Sequence, residues 1–269
     1  MNLEPGALPG LVEQLCRGAY AGVHEGLVIR CLAQAARGAH TSRDLLKRAR
    51  RALHQSYGAF AKQVDVAALR RGVAALGAAP GAAELAGWCQ RELAAHPSTR
   101  ERWAGGPDLW RRVLAGVGPV RRLVDLGCGL NPLFLPWMGL APDIHYHAVE
   151  AGRDLVALVT AVLDAAGQAG TAEWADLLQW RPPSAVDLVL ALKLVPTLEH
   201  QERGAGSTLL AAVPALWYVV SFPTRSLGGR SRGMPATYHE VARRLAADLG
   251  AQMSTVETPL ETFYVLHRG

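Results

Sequence analysis

Among 269 residues there are four cysteines, Cys16, Cys31, Cys89 and Cys128, and no Cys-x-x-Cys pair. That scatter argues against a disulfide framework and a cysteine zinc site, and leaves buried, reduced thiols as the expectation. No stretch approaches the roughly 18 to 20 uncharged apolar residues of a spanning helix. The opening MNLEPGALPG lacks the basic flank and apolar run of a signal peptide. A soluble, cytoplasmic protein with no membrane partner is expected. A Gly-x-Ser-x-Gly elbow is missing, which removes support for a hydrolase. His145 and His147 share a strand face but have no cysteine or carboxylate pair at ligand spacing, so no metal is expected. Internal repeats and low-complexity linkers are absent too.

What is present is an uneven charge. The net charge is +5, yet residues 1–115 hold 16 Lys/Arg against 9 Asp/Glu, whereas residues 116–269 hold 12 against 14. The surplus is densest from Arg37 to Arg71, where nine basic residues face only Asp44 and Asp65. Lys47, Arg48, Arg50, Arg51, Arg70 and Arg71 are therefore candidates for contact with nucleic-acid phosphates. A merely solvated helix face would look the same at this stage.

Up to about residue 115, apolar residues recur every three to four positions, as in Leu8/Leu11/Val12/Leu15, Val23/Leu27/Val28/Leu32 and Leu45/Leu46/Ala49/Leu53. Thr41 and Ser42 are N-cap candidates for a helix over 43–53, and Pro80-Gly81 separates helices at 66–76 and 83–95. Ser98-Thr99-Arg100-Glu101 reads as a capping box. After Pro119 the pattern turns to short apolar runs at 122–125, 144–149, 172–175, 186–192 and 217–222, with helical stretches at 152–166, 207–213 and 235–249. That alternation predicts a parallel α/β sheet, and the runs 252–257 and 262–267 around Pro259 predict an antiparallel edge hairpin. An all-helical domain over 1–115 and an α/β domain over 116–269 are the expected division.

The sharpest local signal is Leu123-Val124-Asp125-Leu126-Gly127-Cys128-Gly129, an apolar strand running into a glycine turn that lets backbone N–H groups approach a ligand. A dinucleotide fingerprint needs a third glycine, but Pro132 stands there. An acid two positions before Gly-x-Gly, here Asp125, instead suits S-adenosylmethionine (SAM) and a Rossmann-like SAM-dependent methyltransferase fold, a mostly parallel seven-stranded sheet. Glu150, after the second strand, is placed to bond both ribose hydroxyls, and Asp176, after the third, to meet an adenine stacked on Leu177. Asp125, Gly127, Gly129, Glu150 and Asp176 should thus share one rim. Cys128 reads as a small side chain tolerated beside the cofactor rather than a nucleophile.

The fourth strand ends in Leu192-Lys193-Leu194-Val195-Pro196, without the Asn/Asp-Pro-Pro-aromatic clamp of base-amine methyltransferases. A ring nitrogen with its own lone pair needs no general base and can be methylated by positioning alone. Behind the fifth strand runs Ser221-Phe222-Pro223-Thr224-Arg225-Ser226-Leu227-Gly228-Gly229-Arg230-Ser231-Arg232-Gly233-Met234, a glycine-hinged loop with three arginines and no acid. It suits an unstacked nucleotide, with Phe222 and Met234 as apolar faces for the base. A lid over a small anionic substrate is the alternative, and a noncatalytic RNA-binding module is a third reading.

The runs His96–Arg102, Asp125–Leu133, Leu192–Glu199 and Val220–Met234 together resemble the aminoglycoside-resistance 16S rRNA methyltransferases, which modify guanine 1405 at N7. The likeness extends over essentially the whole chain. It implies SAM as methyl donor, the 30S subunit as substrate, a helical domain docking on 16S rRNA, and protection against gentamicin and kanamycin; a monomer is the separate expectation. It also implies a cofactor pocket made of Phe60, His96, Pro97, Ser98, Arg102, Gly127, Glu150, Asp176, Leu177, Leu192 and Gln201, with Arg102 for the methionine carboxylate. Arg225, Arg230, Arg232 and Met234 would position the target guanine. Pro97 departs from the family's usual alanine, Glu150 from its frequent aspartate and Gly127 from the alanine of some members.

Overall fold

The computed structural model describes residues 8–58, 64–224 and 234–269. Its frame is a seven-stranded sheet of β1 (Arg122–Leu126), β2 (His145–Glu150), β3 (Gly170–Trp174), β4 (Val186–Leu192), β5 (Ala215–Pro223), β6 (Ala251–Glu257) and β7 (Glu261–Arg268). The order is β3-β2-β1-β4-β5-β7-β6, with β1 to β5 parallel and β7 antiparallel to both its neighbours. This is the Rossmann-like methyltransferase layout the strand pattern predicts. Chain direction across the sheet reverses between β1 and β4, so the crevice for a ligand lies at their carboxyl ends.

Both faces of the sheet are covered, and the side-chain period of two divides the apolar residues between them. Leu123, Leu188, Leu190 and Val219 join the core on one face, while Val124, Val189, Ala191, Tyr218 and Val220 join the core on the other. The first core also takes in Leu69 and Val73 of helix Val66–Ala75 and Trp88 and Leu93 of helix Ala82–Ala95, together with helix Arg153–Ala166. The second is closed by helices Val195–Gln201, Ala205–Ala211 and Met234–Leu249. A third core, running from Val12 to Leu53, is built mainly by helices Leu8–Leu15, Glu25–Ala36 and Ser42–Leu53, with Val23 and Ala39 between them and Tyr57 and Ala151 packed against it.

Local chemistry sets the helix starts. Thr41 caps Ser42–Leu53 by accepting from the Asp44 N–H at 3.2 Å, as its sequence predicts. The capping box expected at Ser98 is corrected. Pro97 takes the first helical position, so Pro97–Trp103 begins one residue before Ser98, with His96 as N-cap and no side-chain cap bond. The Thr99 hydroxyl points back instead and donates to the Leu93 carbonyl at 2.8 Å.

Backbone hydrogen bonds join the small N-terminal bundle to the sheet beside Gly152. Val23 forms an antiparallel bridge with Gly152, the His24 N–H donates to the Ala151 carbonyl at 2.8 Å, and the Arg153 N–H to the Gly22 carbonyl at 2.9 Å. The Arg153 guanidinium lies over the Trp174 ring at 4.1 Å. Because Gly152 follows β2 by two residues, this seam sets the bundle directly beside the strand end that carries Glu150.

Candidate active site

A cavity of about 510 Å³ opens at the carboxyl ends of β1 to β4 and lies within the size range of small-molecule sites. Gly127 and Gly129 turn the chain there with φ of +61° and +50°, a region that side chains disfavour. Glu150 is buried against that turn. Its Oε2 accepts from the Gly129 N–H at 3.0 Å, and its Oε1 from the Ala151 and Gly152 N–H groups at 2.8 and 3.2 Å. Burial pushes its carboxyl up despite these three donors. Its orientation is fixed, and lone pairs remain for hydroxyl groups in the cavity.

Asp125 does not line the cavity. It is 1% exposed beneath the turn, where Oδ2 accepts from the Tyr146 hydroxyl at 2.5 Å and the Asn131 amide at 2.8 Å. Burial raises its carboxyl to about 6, against the lowering effect of those bonds and of Arg102. It therefore braces the glycine turn from below. Cys128 does line the cavity, but burial first, then the Glu150 and Asp125 charges, push its thiol well above the usual range, which disables it as a nucleophile.

On the β4 side lies a buried ion cluster that sequence reasoning missed. Glu261, at the start of β7, is fully buried, and Arg102 grips it through Nη2 at 2.9 Å and Nε at 3.2 Å. Ser221 donates to the same carboxylate at 2.5 Å, and the Lys193 ammonium stands 3.5 Å away. Burial would raise this carboxyl, but Arg102 and Lys193 outweigh it and hold it below the ordinary range. The third Arg102 nitrogen, Nη1, donates to Asn131 Oδ1 at 2.9 Å. A guanidinium has five N–H groups, so one on each terminal nitrogen is still available to an anion in the cavity. Lys193 itself sits at φ +54°, and its ammonium donates to Glu101 at 2.5 Å and to the Ser98 carbonyl at 3.2 Å. No local pattern marks Glu261; only the fold brings it under Arg102.

The expected pocket residues Pro97, Ser98, Arg102, Gly127, Gly129, Glu150, Asp176, Leu177, Leu192 and Gln201 all line this one cavity. His96 does not; it is the N-cap beside it. Phe60 lies outside the described residues, as do Arg225, Arg230 and Arg232 and the side chain of Met234. The expectation that Phe222 offers a face to a base is corrected: it is 1% exposed, stacked on Tyr238 at 4.9 Å within the core. On a strand buried on both faces, it joins the same core as Tyr218 and Val220, and Tyr238 lines the cavity. Leu27, Gln55, Ser56 and Tyr57 of the N-terminal bundle form the opposite wall.

Away from the cavity, Lys47, Arg48, Arg50 and Arg51 are exposed on helix Ser42–Leu53, whose Leu45, Ala49 and Leu53 face inward. Arg70 and Arg71 are exposed on the next helix. Arg48 is partly neutralised by Asp44 at 2.9 Å. Arg50 and Arg51, with Arg17 and His54, line a shallow surface groove beside Tyr20.

Residues 17–265 match the family described as "Ribosomal RNA methyltransferase (FmrO)". A 16S rRNA (guanine(1405)-N(7))-methyltransferase of Micromonospora rosea is 36% identical over 227 residues, which is 84% of this chain and 83% of that protein. One from Serratia marcescens is 35% identical over 206 residues, covering 75% and 74% of the two chains. Among solved structures, the 16S rRNA methyltransferase RmtF in complex with S-adenosyl-L-homocysteine superposes with a TM-score of 0.80 at 30% identity and covers 100% of both chains. The 16S rRNA methylase RmtB gives a TM-score of 0.78 at 25% identity, covering 99% of this chain and 100% of that one.

Proposed function

The chain belongs to the FmrO family of ribosomal RNA methyltransferases, and on that footing we propose that it transfers the methyl group of SAM to N7 of guanine 1405 of 16S rRNA in the assembled 30S subunit. The observation that carries this reading is the single cavity in which Gly127, Glu150, Asp176 and Arg102 converge at the switch point of the sheet. The donor set fits SAM. Glu150 offers carboxylate oxygens for the ribose, Asp176 and Leu177 the adenine contacts, and Arg102 two N–H groups for the methionine carboxylate, with the glycine turn giving room between them. Bound there, SAM supplies a methyl group on an electrophilic sulfonium.

The rest is positioning. Guanine N7 already carries its lone pair, so no side chain has to remove a proton, and catalysis reduces to holding the base in line. The Lys193 ammonium donates to Glu101 and the Ser98 carbonyl. In this reading Arg225, Arg230, Arg232 and Met234 hold the extruded guanine, and Lys47, Arg48, Arg50, Arg51, Arg70 and Arg71 bind phosphates of 16S rRNA. The helical portion, 1–115, docks on the subunit and 116–269 carries the reaction; within the former, the bundle with its own core presents four of the six basic residues. The enzyme acts in the cytoplasm as a monomer. A fixed positive charge on the guanine would repel the ammonium groups of 4,6-disubstituted deoxystreptamines such as gentamicin and kanamycin, and so confer resistance.

The test is transfer of labelled methyl from SAM to purified 30S subunits, beside free 16S rRNA, with the modified nucleotide mapped. Label at guanine 1405 of the 30S reaction is expected. Label on neither RNA, from protein that still binds SAM, would return the reaction to a small anionic substrate.

A further inference from the structure

Helix Glu25–Ala36 meets the rim of the cavity along a stripe spaced by four residues. A Cβ at Gly26 would stand 2.6 Å from Asp176 Oδ2, so glycine is what lets the helix come this close. One turn on, Arg30 donates through Nη1 to Asp176 Oδ1 at 3.0 Å and to Gln201 Oε1 at 3.1 Å, and through Nη2 to Asp176 Oδ2. Another turn on, Gln34 Nε2 donates to the His200 carbonyl at 3.2 Å. Arg30 itself does not line the cavity, whereas Asp176 and Gln201 both do.

A guanidinium has only donors, and this dictates the polarity of its two neighbours. A carboxylate gripped on both oxygens by Arg30 presents only acceptors to any further partner. Gln201 has to turn its amide oxygen towards Arg30, which leaves the NH₂ group as the end it can offer elsewhere. That NH₂ has no partner among the described residues. The rim therefore presents an acceptor and a donor as neighbours, held in that sense by a third residue behind them. An exocyclic N–H₂ beside a ring-nitrogen acceptor, the pattern of an adenine edge, is its complement; a base with an oxygen in place of that amine is not.

We propose that Arg30 is a positioning residue that sets base specificity at the cofactor site: by fixing the hydrogen-bonding sense of Asp176 and Gln201, it makes the pocket accept adenine and reject the 6-oxo base. The inference rests on the reading of the cavity as a SAM site. It also gives the N-terminal bundle a part in cofactor recognition, since the residue that sets the polarity comes from the bundle and the two it sets come from the sheet's rim.

The experiment is calorimetric binding of S-adenosylhomocysteine and of S-inosylhomocysteine, in which a 6-oxo group replaces the amine, to the wild type, Arg30→Met and Arg30→Lys, each also followed by thermal melting. The wild type should bind the adenosyl compound and discriminate strongly against the inosyl one. Arg30→Met should lose roughly tenfold or more in affinity for the adenosyl compound while the inosyl affinity stays or rises, so the ratio collapses. Arg30→Lys keeps the charge but a single ammonium does not grip both groups, and should restore part of the ratio. A merely structural role would weaken both compounds alike, and an unchanged ratio in folded Arg30→Met overturns the proposal. Should that variant melt below the working temperature, Gln201→Glu, which keeps an oxygen towards Arg30 but removes the donor, decides it: a wild-type ratio there overturns the proposal equally. A wild type that binds neither compound would instead overturn the cofactor reading, and this inference with it.

Discussion

Arg102 and Glu261 form an ion pair 2.9 Å long between residues 159 apart in sequence, with side chains only 5% and 0% exposed. The pair ties the segment before the sheet to its last strand, and on the pocket side Arg102 keeps N–H groups for an anion. A buried carboxylate with two cations around it is asymmetric in what its loss costs. Lys193 would keep Glu101, but Arg102 would keep only the neutral Asn131. Glu261→Gln should therefore destabilise the fold by about 3 to 5 kcal/mol in denaturant unfolding, the range for a buried charge left without its partner. Lys193→Ala should cost clearly less, because Glu261 retains Arg102 and Ser221. Equal, small losses for the two variants would remove Glu261 from this central role.

Two of the buried carboxyls, Asp125 and Glu261, respond to acid in opposite directions. The Asp125 carboxyl is raised from 3.8 to about 6, so between those values the folded protein binds a proton that the unfolded chain does not. Stability from this group therefore falls as pH rises from about 4 to about 6. Glu261 lies below its ordinary value of 4.5, so its contribution is present above that value and lost as pH falls through the lower, folded one. Asp125→Asn keeps an oxygen for Tyr146 and Asn131 and should flatten the decline between about 4 and 6 in melting temperature against pH. A profile unchanged by that substitution would show that another group sets the slope.

Gly152 and Tyr57 hold the seam between bundle and sheet. A Cβ at Gly152 would collide with the Tyr57 hydroxyl, and as a bare Cβ has no rotamer of its own, the Tyr57 ring would have to move. Gly152→Ala should cost about 1 to 3 kcal/mol as an overpacked site, and should weaken cofactor binding because Tyr57 and Glu150 line the cavity on either side of it. Tyr57→Phe removes the colliding oxygen. The double variant should recover part of the loss, and a cycle with strictly additive free energies would show the contact is not what makes glycine necessary.

The legible parts of this site are those carried by local pattern. The run into Gly127-Cys128-Gly129, the acids after β2 and β3, and the edge hairpin all follow from periods of two and from glycine chemistry, and the rim assembles as that pattern requires. Glu261, Lys193 and Arg30 were not legible, because their roles come from partners far along the chain: 146 residues separate Arg30 from Asp176. Arg30 also lies just before the basic cluster that drew attention to Arg37–Arg71, and a count of charge gives no weight to a paired arginine. Phe222 is different, since the signal was present. It continues the apolar run of a strand covered on both faces, on the same side as Tyr218 and Val220, and the appeal of an aromatic beside an arginine-rich loop hid that continuity.

The exposed arginines offer a test that separates docking from the pocket. Arg50 and Arg51 carry no ion pair among the described residues and flank a groove that also holds Arg17 and His54, whereas Arg48 is engaged with Asp44. If the groove meets phosphates, replacing Arg50 and Arg51 together by Glu should weaken 30S binding and lower the salt slope of log Kd by about one for each phosphate no longer neutralised. Affinity for S-adenosylhomocysteine should not change, because neither residue lines the cavity. Arg48→Glu should have a smaller effect, its charge being already half-cancelled on the helix. Should the double variant bind 30S subunits with wild-type affinity and salt dependence, this face of the bundle is only solvated, and the docking surface has to be sought on helix Val66–Ala75, around Arg70 and Arg71.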